Sequence, residues 1–157
     1  MKLDPLLCSS KEEKLKLHLS IKRLKAGARL PQYATTGAAG LDLYACLGEP
    51  LSIPPDGVSV IPTGLAMAIP DGHVGLIRDR SSLAVGGLHT VAGVIDSDYR
   101  GEVLVAVHNA APWDRVVQPG ERVAQILVLP CPAMDVVEAE DLSATERGSG
   151  GFGSTGR

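Results

Sequence analysis

The sequence predicts an all-β domain, a sandwich or barrel of short strands with one short helix. Two patterns carry this prediction: short apolar runs recur between turn signals, and helical periodicity is weak throughout. Among 157 residues, 18 are Gly and 11 are Pro, which favours many turns. The hydrophobic fraction is 45% but the aromatic fraction is only 3%, so the core must be aliphatic. The apolar runs are residues 41–46, 58–61, 65–69, 74–77, 103–108 and 123–129.

Local signals justify the individual elements. Apolar and polar residues alternate over 15–22, which predicts a half-buried first strand. Pro and Gly mark turns at 54–57 and 70–72. The run 103–108 places a Val at every second position, so one face of that strand should be buried. A helix is predicted over 81–85, begun by a capping Ser and ended by two glycines.

Composition divides the chain into three parts. We expect an N-terminal extension at 1–13, one β domain at 14–143 and a mobile Gly-rich segment at 144–157. The N-terminal residues carry several charges and lack the apolar run of a signal peptide. The three Cys are odd in number and far apart, which favours reduced thiols in a cytoplasmic protein.

Charge restricts the classes of partner. The net charge is −3, so there is no basic excess to follow a nucleic-acid backbone, and we expect no nucleic-acid partner. No apolar stretch is long enough to cross a membrane, and we expect no membrane partner. An anionic small molecule is compatible with this charge, because it needs only a local cluster of Arg.

Asp42 stands inside the apolar run 41–46. Burying a carboxylate is costly unless it is paired, so Asp42 needs an Arg, backbone N–H groups or a metal-bound water. A purely structural ion pair and a functional carboxylate are both open at this stage.

Residues 93–101 read Gly-Val-Ile-Asp-Ser-Asp-Tyr-Arg-Gly between two apolar runs and predict a β-hairpin with its tip near Asp98. Asp96 ends the first run, where its carboxylate could orient a water molecule. Tyr99 could stack on a sugar or a base. Asp-rich turns also form for purely local reasons, so this segment alone leaves its role open.

Two further segments are typical of a site that binds an anion. Residues 78–82 read Arg-Asp-Arg-Ser-Ser and place two guanidinium groups and two hydroxyls at the predicted helix start. A capped surface helix with a local ion pair is the alternative. Residues 120–125, Gly-Glu-Arg-Val-Ala-Gln, add another Arg and a Gln at a strand start. By itself this segment is weak evidence for an anion-binding site.

The segment 147–157 holds five glycines, two flanking Arg and the only Phe of the chain. Such a backbone forms no helix or strand by itself. Its exposed N–H groups, its cations and its ring suit closure over a planar base and its phosphates. A solvated Gly/Ser tail is the alternative.

Five of these segments stand in a recognisable order. They are 39–45 (AGLDLYA), 80–84 (RSSLA), 93–101 (GVIDSDYRG), 120–125 (GERVAQ) and 147–156 (RGSGGFGSTG). In this order the chain resembles the trimeric dUTPases, the deoxyuridine 5′-triphosphate nucleotidohydrolases. The resemblance covers about residues 21–156, and its third and fifth motifs are the most specific.

The resemblance implies a jelly-roll-like β subunit in a homotrimer with active sites at subunit interfaces. It implies Mg²⁺-dependent cleavage of dUTP to dUMP and pyrophosphate, which removes dUTP from the nucleotide pool and supplies dUMP for dTMP synthesis. It implies that Asp96 is the general base, that Tyr99 packs under the deoxyribose, that Asp42 holds Mg²⁺ through water and that Phe152 stacks on uracil. The other residues expected to bind substrate are Arg80, Ser81, Ser82, Gly93, Ile95, Gln125, Arg147, Ser149, Gly150, Gly151, Gly153, Ser154 and Thr155.

The chain departs from the family pattern in its second motif, where Asp79 and Ser82 replace the usual Pro and Gly. Arg-Ser-Ser-Leu at this place also resembles the dCTP deaminases, which share the fold. Those enzymes need a Glu on the strand that follows the Ile-Asp segment, and here Ala106 stands at that position. A nucleotide-binding protein without activity is a third alternative, disfavoured because all the expected catalytic residues are present.

Overall fold

The computed structural model describes residues 17–150, and the predicted extension at 1–13 lies outside them. Within this range the chain forms eleven strands and one short helix. The elements are β1 Ser20–Arg23, β2 Gln32–Tyr33, β3 Leu41–Tyr44, β4 Leu51–Ile53, β5 Val58–Ala68, β6 His73–Arg78, α1 Ser81–Val85, β7 Leu88–Thr90, β8 Val94–Ile95, β9 Glu102–Asn109, β10 Arg115–Val117 and β11 Arg122–Pro130.

The strands form two large sheets and one small one. The first sheet has the order β1-β5-β9-β7, the second β2-β3-β11-β6-β8, and β10 pairs with β4 alone. All the pairings are antiparallel. The all-β prediction is confirmed, and both large sheets send side chains into one apolar cluster.

The core is aliphatic, as the scarcity of aromatic residues predicts. Val103, Val105 and Val107 of β9 are buried on one face, which confirms the predicted alternation. Leu43 of β3 and Ile126 of β11 meet this face from the other sheet within the same cluster. Each buried aliphatic side chain contributes about 1.5–3 kcal/mol to the stability of the fold.

The apolar runs at 58–61 and 65–69 were expected to be separate strands, and this expectation is wrong. They form the single strand β5, whose pairing with β9 shifts register between Pro62 and Ala66. Gly64 lies in this irregular stretch at φ +69°, where a Cβ would be 2.8 Å from the thiol sulfur of Cys46. A bulge therefore accommodates the Pro and Gly that resemble a turn in the sequence.

Helix α1 has the predicted bounds, but its predicted cap is wrong. The N-cap residue is Arg80, and no side chain caps the helix. At its end, Gly87 takes φ +85° and donates its N–H to the carbonyl of Ala84. In the part of the chain that the structure describes, this five-residue helix is the only one, and it is far too short to span a bilayer.

The predicted hairpin at 93–101 is also wrong. β8 pairs with β6 in the second sheet, whereas β9 pairs with β5 and β7 in the first. The segment between β8 and β9 therefore crosses from one sheet to the other. This crossing places Asp96 and Tyr99 at the rim between the two sheets.

Candidate active site

Asp42 is the buried carboxylate of β3, with 8% of its surface exposed. Its Oδ1 accepts a hydrogen bond from Nε of Arg80 at 3.1 Å, and its Oδ2 accepts one from Nη1 of Arg122 at 3.1 Å. Two guanidinium groups thus supply the pairing that the buried charge requires. Arg80 was expected near this site, whereas the role of Arg122 was missed because it begins a strand eighty positions away.

A bulge in β11 brings Arg122 and Gln125 to the same face as Asp42. Gln125 pairs with Asp42 and Arg122 with Tyr44, so β11 carries one more residue than β3 between these pairs. Three positions apart, the two side chains would point to opposite faces of a regular strand. The extra residue, Val123, is buried beside Ala124.

Gln125 is fixed from two sides. Its Nε2 donates to the backbone carbonyl of Asp79 at 2.9 Å. A Cβ on Gly40 would lie 3.1 Å from Cδ of Gln125, so the glycine leaves room for the amide. The first and fourth sequence motifs therefore meet through direct packing.

Asp79 makes contacts that the sequence did not predict. Its Oδ1 accepts the backbone N–H of Thr90 at 2.6 Å and the Thr90 hydroxyl at 2.5 Å, and Nδ1 of His89 lies 3.1 Å from its Oδ2. Burial alone would raise the pKa of Asp79. The hydrogen bonds from Thr90 and the neighbouring His89 outweigh burial, however, and hold the pKa below its ordinary value of 3.8.

Two cavities lie side by side at this edge of the molecule. The larger, about 430 Å³, is lined by Arg78, Asp79, Thr90 and Gln125, which makes it strongly polar. The smaller, about 260 Å³, shares Arg78 and Thr90 and extends along the backbone to Gly93. Ser81 and Ser82 are exposed at the start of α1, next in sequence to the larger cavity.

Gly93 has a conformation that other residues avoid. Its φ is +148°, and a Cβ there would lie 2.6 Å from Cβ of Ile77. Its carbonyl accepts the N–H of Ile77 at 2.8 Å, which holds the chain against β6 just before β8. Ile95 is buried behind it. The backbone beside the smaller cavity is thus fixed in position.

The turn from Asp96 to Gly101 is tightly organised. The N–H of Tyr99 donates to the carbonyl of Asp96 at 3.2 Å, and the Tyr99 hydroxyl donates to the carbonyl of Glu102 at 2.9 Å. A Cβ on Gly101 would lie 2.6 Å from Cζ of Tyr99, so the ring lies against the glycine backbone. The carboxylate of Asp96 is exposed at the start of this turn.

The tail is described only as far as Gly150. Arg147 donates from Nε to the carbonyl of Gly150 at 2.9 Å, and Gly148 donates to Thr145. Arg147 and Gly150 hydrogen-bond to each other, and neither these two residues nor Ser149 line either cavity. The remaining predicted tail residues, 151–155, lie outside the described residues.

The strand expected to carry a deaminase Glu is β9. Ala106 lies on the opposite face from the buried Val105 and Val107, and the backbone carbonyl of Ala106 accepts the N–H of Val91. The position thus faces away from the core but offers no carboxylate. This arrangement disfavours deamination of dCTP, which was the second hypothesis.

The fold and the site together define an all-β protein with a polar, Arg-bearing cavity at the edge between two sheets. A model of the dUTPase family matches residues 26–156. The deoxyuridine 5′-triphosphate nucleotidohydrolase of Paraburkholderia xenovorans is 42% identical over 149 residues, which cover 91% of this chain and 99% of the relative. The corresponding protein of Anaplasma marginale is 44% identical, covering 89% and 99%. The chain belongs to the dUTPase family.

Solved structures agree with this assignment. The dUTPase of Staphylococcus bacteriophage 80alpha with bound dUPNHPP superposes with a TM-score of 0.80 at 27% identity, covering 90% of this chain and all of that one. A mutant dUTPase from phage phi11 of S. aureus, described with a structural Mg(II) ion, gives a TM-score of 0.75 at 22% identity. The second likeness shows the fold alone.

Proposed function

We propose that this protein hydrolyses dUTP to dUMP and pyrophosphate, using the cavities at the edge of the sandwich. The chain matches the dUTPase family over nearly its whole length. The observation that supports the assignment to this site is that three separate motifs, the first, second and fourth, meet there through Asp42, Arg80 and residues 122–125. Arg and amide groups beside a polar cavity suit a triphosphate, whose cleavage depends on positioning and charge neutralisation.

Asp96 is proposed as the general base. Its carboxylate is exposed at the rim, while the Tyr99 N–H holds its backbone in place. It accepts the proton of a water molecule whose oxygen bonds to the α-phosphorus. The bond from the α-phosphorus to the bridging oxygen breaks, and pyrophosphate leaves with that electron pair.

Arg80 and Gln125 are proposed to contact the phosphate chain, helped by the hydroxyls of Ser81 and Ser82. The pairing of Arg80 with Asp42 uses its Nε, and its Nη1 donates to the carbonyl of Arg122 at 3.2 Å. Its Nη2 therefore remains for a phosphate oxygen. A guanidinium held in this way is already oriented before the substrate arrives, which lowers the entropy lost on binding.

Mg²⁺ is proposed as the cofactor, with Asp42 contacting it through water. Residues 17–150 contain no group of three His, Cys, Asp or Glu placed to hold a metal. Mg²⁺ commonly takes one or two carboxylates together with substrate phosphates and water, so the site fits an ion that binds with the triphosphate. Both Asp42 oxygens already accept an Arg N–H but keep further lone pairs for a coordinated water. When bound, the ion neutralises phosphate charge.

The base and sugar are assigned to the segment 93–99. Backbone groups of Gly93 and Ile95 are proposed to bind the uracil edge, and the Tyr99 ring to pack under the deoxyribose, where a 2′-hydroxyl would clash.

Arg147 and residues 149–155 are proposed to close over the phosphates, with Phe152 stacked on uracil. Stacking of a ring on a base contributes about 1–3 kcal/mol, enough to favour closure only when substrate is present.

A homotrimer is proposed as the working form. Val58 and Val60 of β5 are more than half exposed, and Leu104 of the neighbouring β9 is exposed beside them. The arm after β11 also exposes apolar side chains, with Val136 at 98% and Leu142 at 90%. Exposed apolar surface of this extent favours burial against another subunit.

A cytoplasmic location remains our prediction from the cysteine pattern.

The function is tested by incubating the purified protein with dUTP, dCTP or dTTP in the presence of Mg²⁺ and measuring pyrophosphate and ammonia separately. We expect pyrophosphate from dUTP and little from dCTP or dTTP. Ammonia from dCTP, or no pyrophosphate from dUTP, would contradict the proposal. Omitting Mg²⁺ should reduce the rate strongly.

A further inference from the structure

Asp79 joins two parts of the molecule that belong to different sheets. It follows β6 of the second sheet, and its carboxylate binds the backbone and hydroxyl of Thr90, the last residue of β7 in the first sheet. Gln125 donates to the carbonyl of the same residue. Asp79 and Thr90 also line the larger cavity together.

The two segments that Asp79 joins are assigned to opposite ends of the substrate. Arg80, the next residue, is assigned to the phosphate chain. Thr90 stands three residues before Gly93, whose backbone is assigned to the uracil edge. The hydrogen bonds of Asp79 therefore fix the position of the phosphate-binding segment relative to the base-binding segment.

We propose that Asp79 is a positioning residue that sets the separation between the phosphate-binding and base-binding segments, acting through Thr90. This inference rests on the proposed function. Asp79 touches no reacting atom in this scheme. Its depressed pKa agrees with an ionised, hydrogen-bonded carboxylate at neutral pH. It also gives a physical role to a residue that departs from the family's usual Pro.

The test is ligand binding, measured by calorimetry on the full chain with three probes. The dUTP analogue dUpNHpp should contact both segments. By contrast, dUMP should occupy mainly the base-binding segment, and inorganic pyrophosphate mainly the phosphate-binding segment. Asp79→Asn should weaken dUpNHpp about tenfold, the effect of roughly one lost charged hydrogen bond, and should change dUMP and pyrophosphate by less than about twofold. Asp71→Asn, which removes an exposed carboxylate from a distant turn, is the control for charge and should bind all three as the wild type does.

Thr90 supplies a second, milder pair of variants. Thr90→Val removes the hydroxyl donor but keeps the backbone bond, so it should weaken dUpNHpp severalfold, and Thr90→Ser should restore the wild-type affinity. Unchanged affinity in both Asp79→Asn and Thr90→Val would overturn the proposal, as would an equal loss for all three probes. So would unfolding of both variants at the assay temperature, because the bonds would then serve the fold.

Failure of the proposed function is distinguishable from failure of this inference. If the wild type neither binds dUpNHpp nor hydrolyses dUTP, the function itself is wrong. If the wild type does both and Asp79→Asn keeps full affinity for dUpNHpp, only the positioning role is wrong.

Discussion

A Cβ atom on Gly40 would lie 2.5 Å from Oε1 of Gln125, so the Gln125 amide occupies the space that a side chain at position 40 would need. Gly40→Ala should displace the amide and break its bond to the Asp79 carbonyl. We expect kcat/KM for dUTP to fall about tenfold, as for the loss of one hydrogen bond at the site. Gly37→Ala is the matched control, because a Cβ there meets nothing within 4 Å. Equal activity of the two variants would contradict this reasoning.

Asp42 should matter more for stability than its partner Arg122 does. Asp42→Asn leaves two guanidinium groups facing a neutral amide, and we expect the free energy of unfolding to fall by about 2–4 kcal/mol. Arg122→Gln should cost less than about 1 kcal/mol, because that side chain is 47% exposed and water can replace part of its interaction. Urea unfolding of both variants measures the difference. A larger loss for Arg122→Gln would refute this ranking.

Asp96→Asn should separate binding from chemistry. The amide keeps the size of the carboxylate but accepts a proton poorly, so kcat should fall at least about 100-fold while dUpNHpp affinity stays near that of the wild type. Single-turnover kinetics and calorimetry measure the two quantities. Near-full activity would remove Asp96 as the base.

Removal of residues 145–157 should leave a folded protein with little activity. The deleted segment makes local hydrogen bonds in its described part, so its loss should not disturb the sandwich. We expect kcat/KM to fall about 100-fold or more, since closure and base stacking are lost together. Circular dichroism and light scattering report the fold and the assembly. Loss of the native fold or of the assembled state would show that the tail is needed for the structure.

The stability supplied by Asp79 should depend on pH in one direction. Its pKa is lower in the folded chain than the ordinary 3.8, so its contribution is complete above that value and is lost as the pH falls through the folded pKa. The difference in free energy of unfolding between wild type and Asp79→Asn should therefore shrink as the pH falls below about 4. A difference that grows as the pH falls below about 4 would contradict the assigned direction.

Sequence patterns predicted the elements whose signal is local. The alternating Val residues of β9 and the bounds of α1 follow from periodicity and from the glycines after the helix. The family motifs predicted that Arg80 and Gln125 belong to one site, although their contacts with substrate remain predictions.

Pairing between distant segments could not be predicted in this way. Pro62 and Gly64 resemble a turn, yet β9 holds them within one strand because a bulge accommodates them. The partners of Asp42 and Asp79 are fixed by which strands become neighbours, and single residues such as Arg122 and Thr90 carry no local signal of that choice.

The bulge at Val123 makes the local shape of the backbone a requirement of the site. If β11 were straightened into a regular ladder with every residue kept, either Arg122 or Gln125 would turn towards the opposite face, because the two lie three positions apart. The bulge is therefore as necessary to the site as the side chains that it presents. Two residues separate Arg122 from Gln125, and this spacing serves the site only on a bulged backbone. A list of the required side chains would not reveal this constraint.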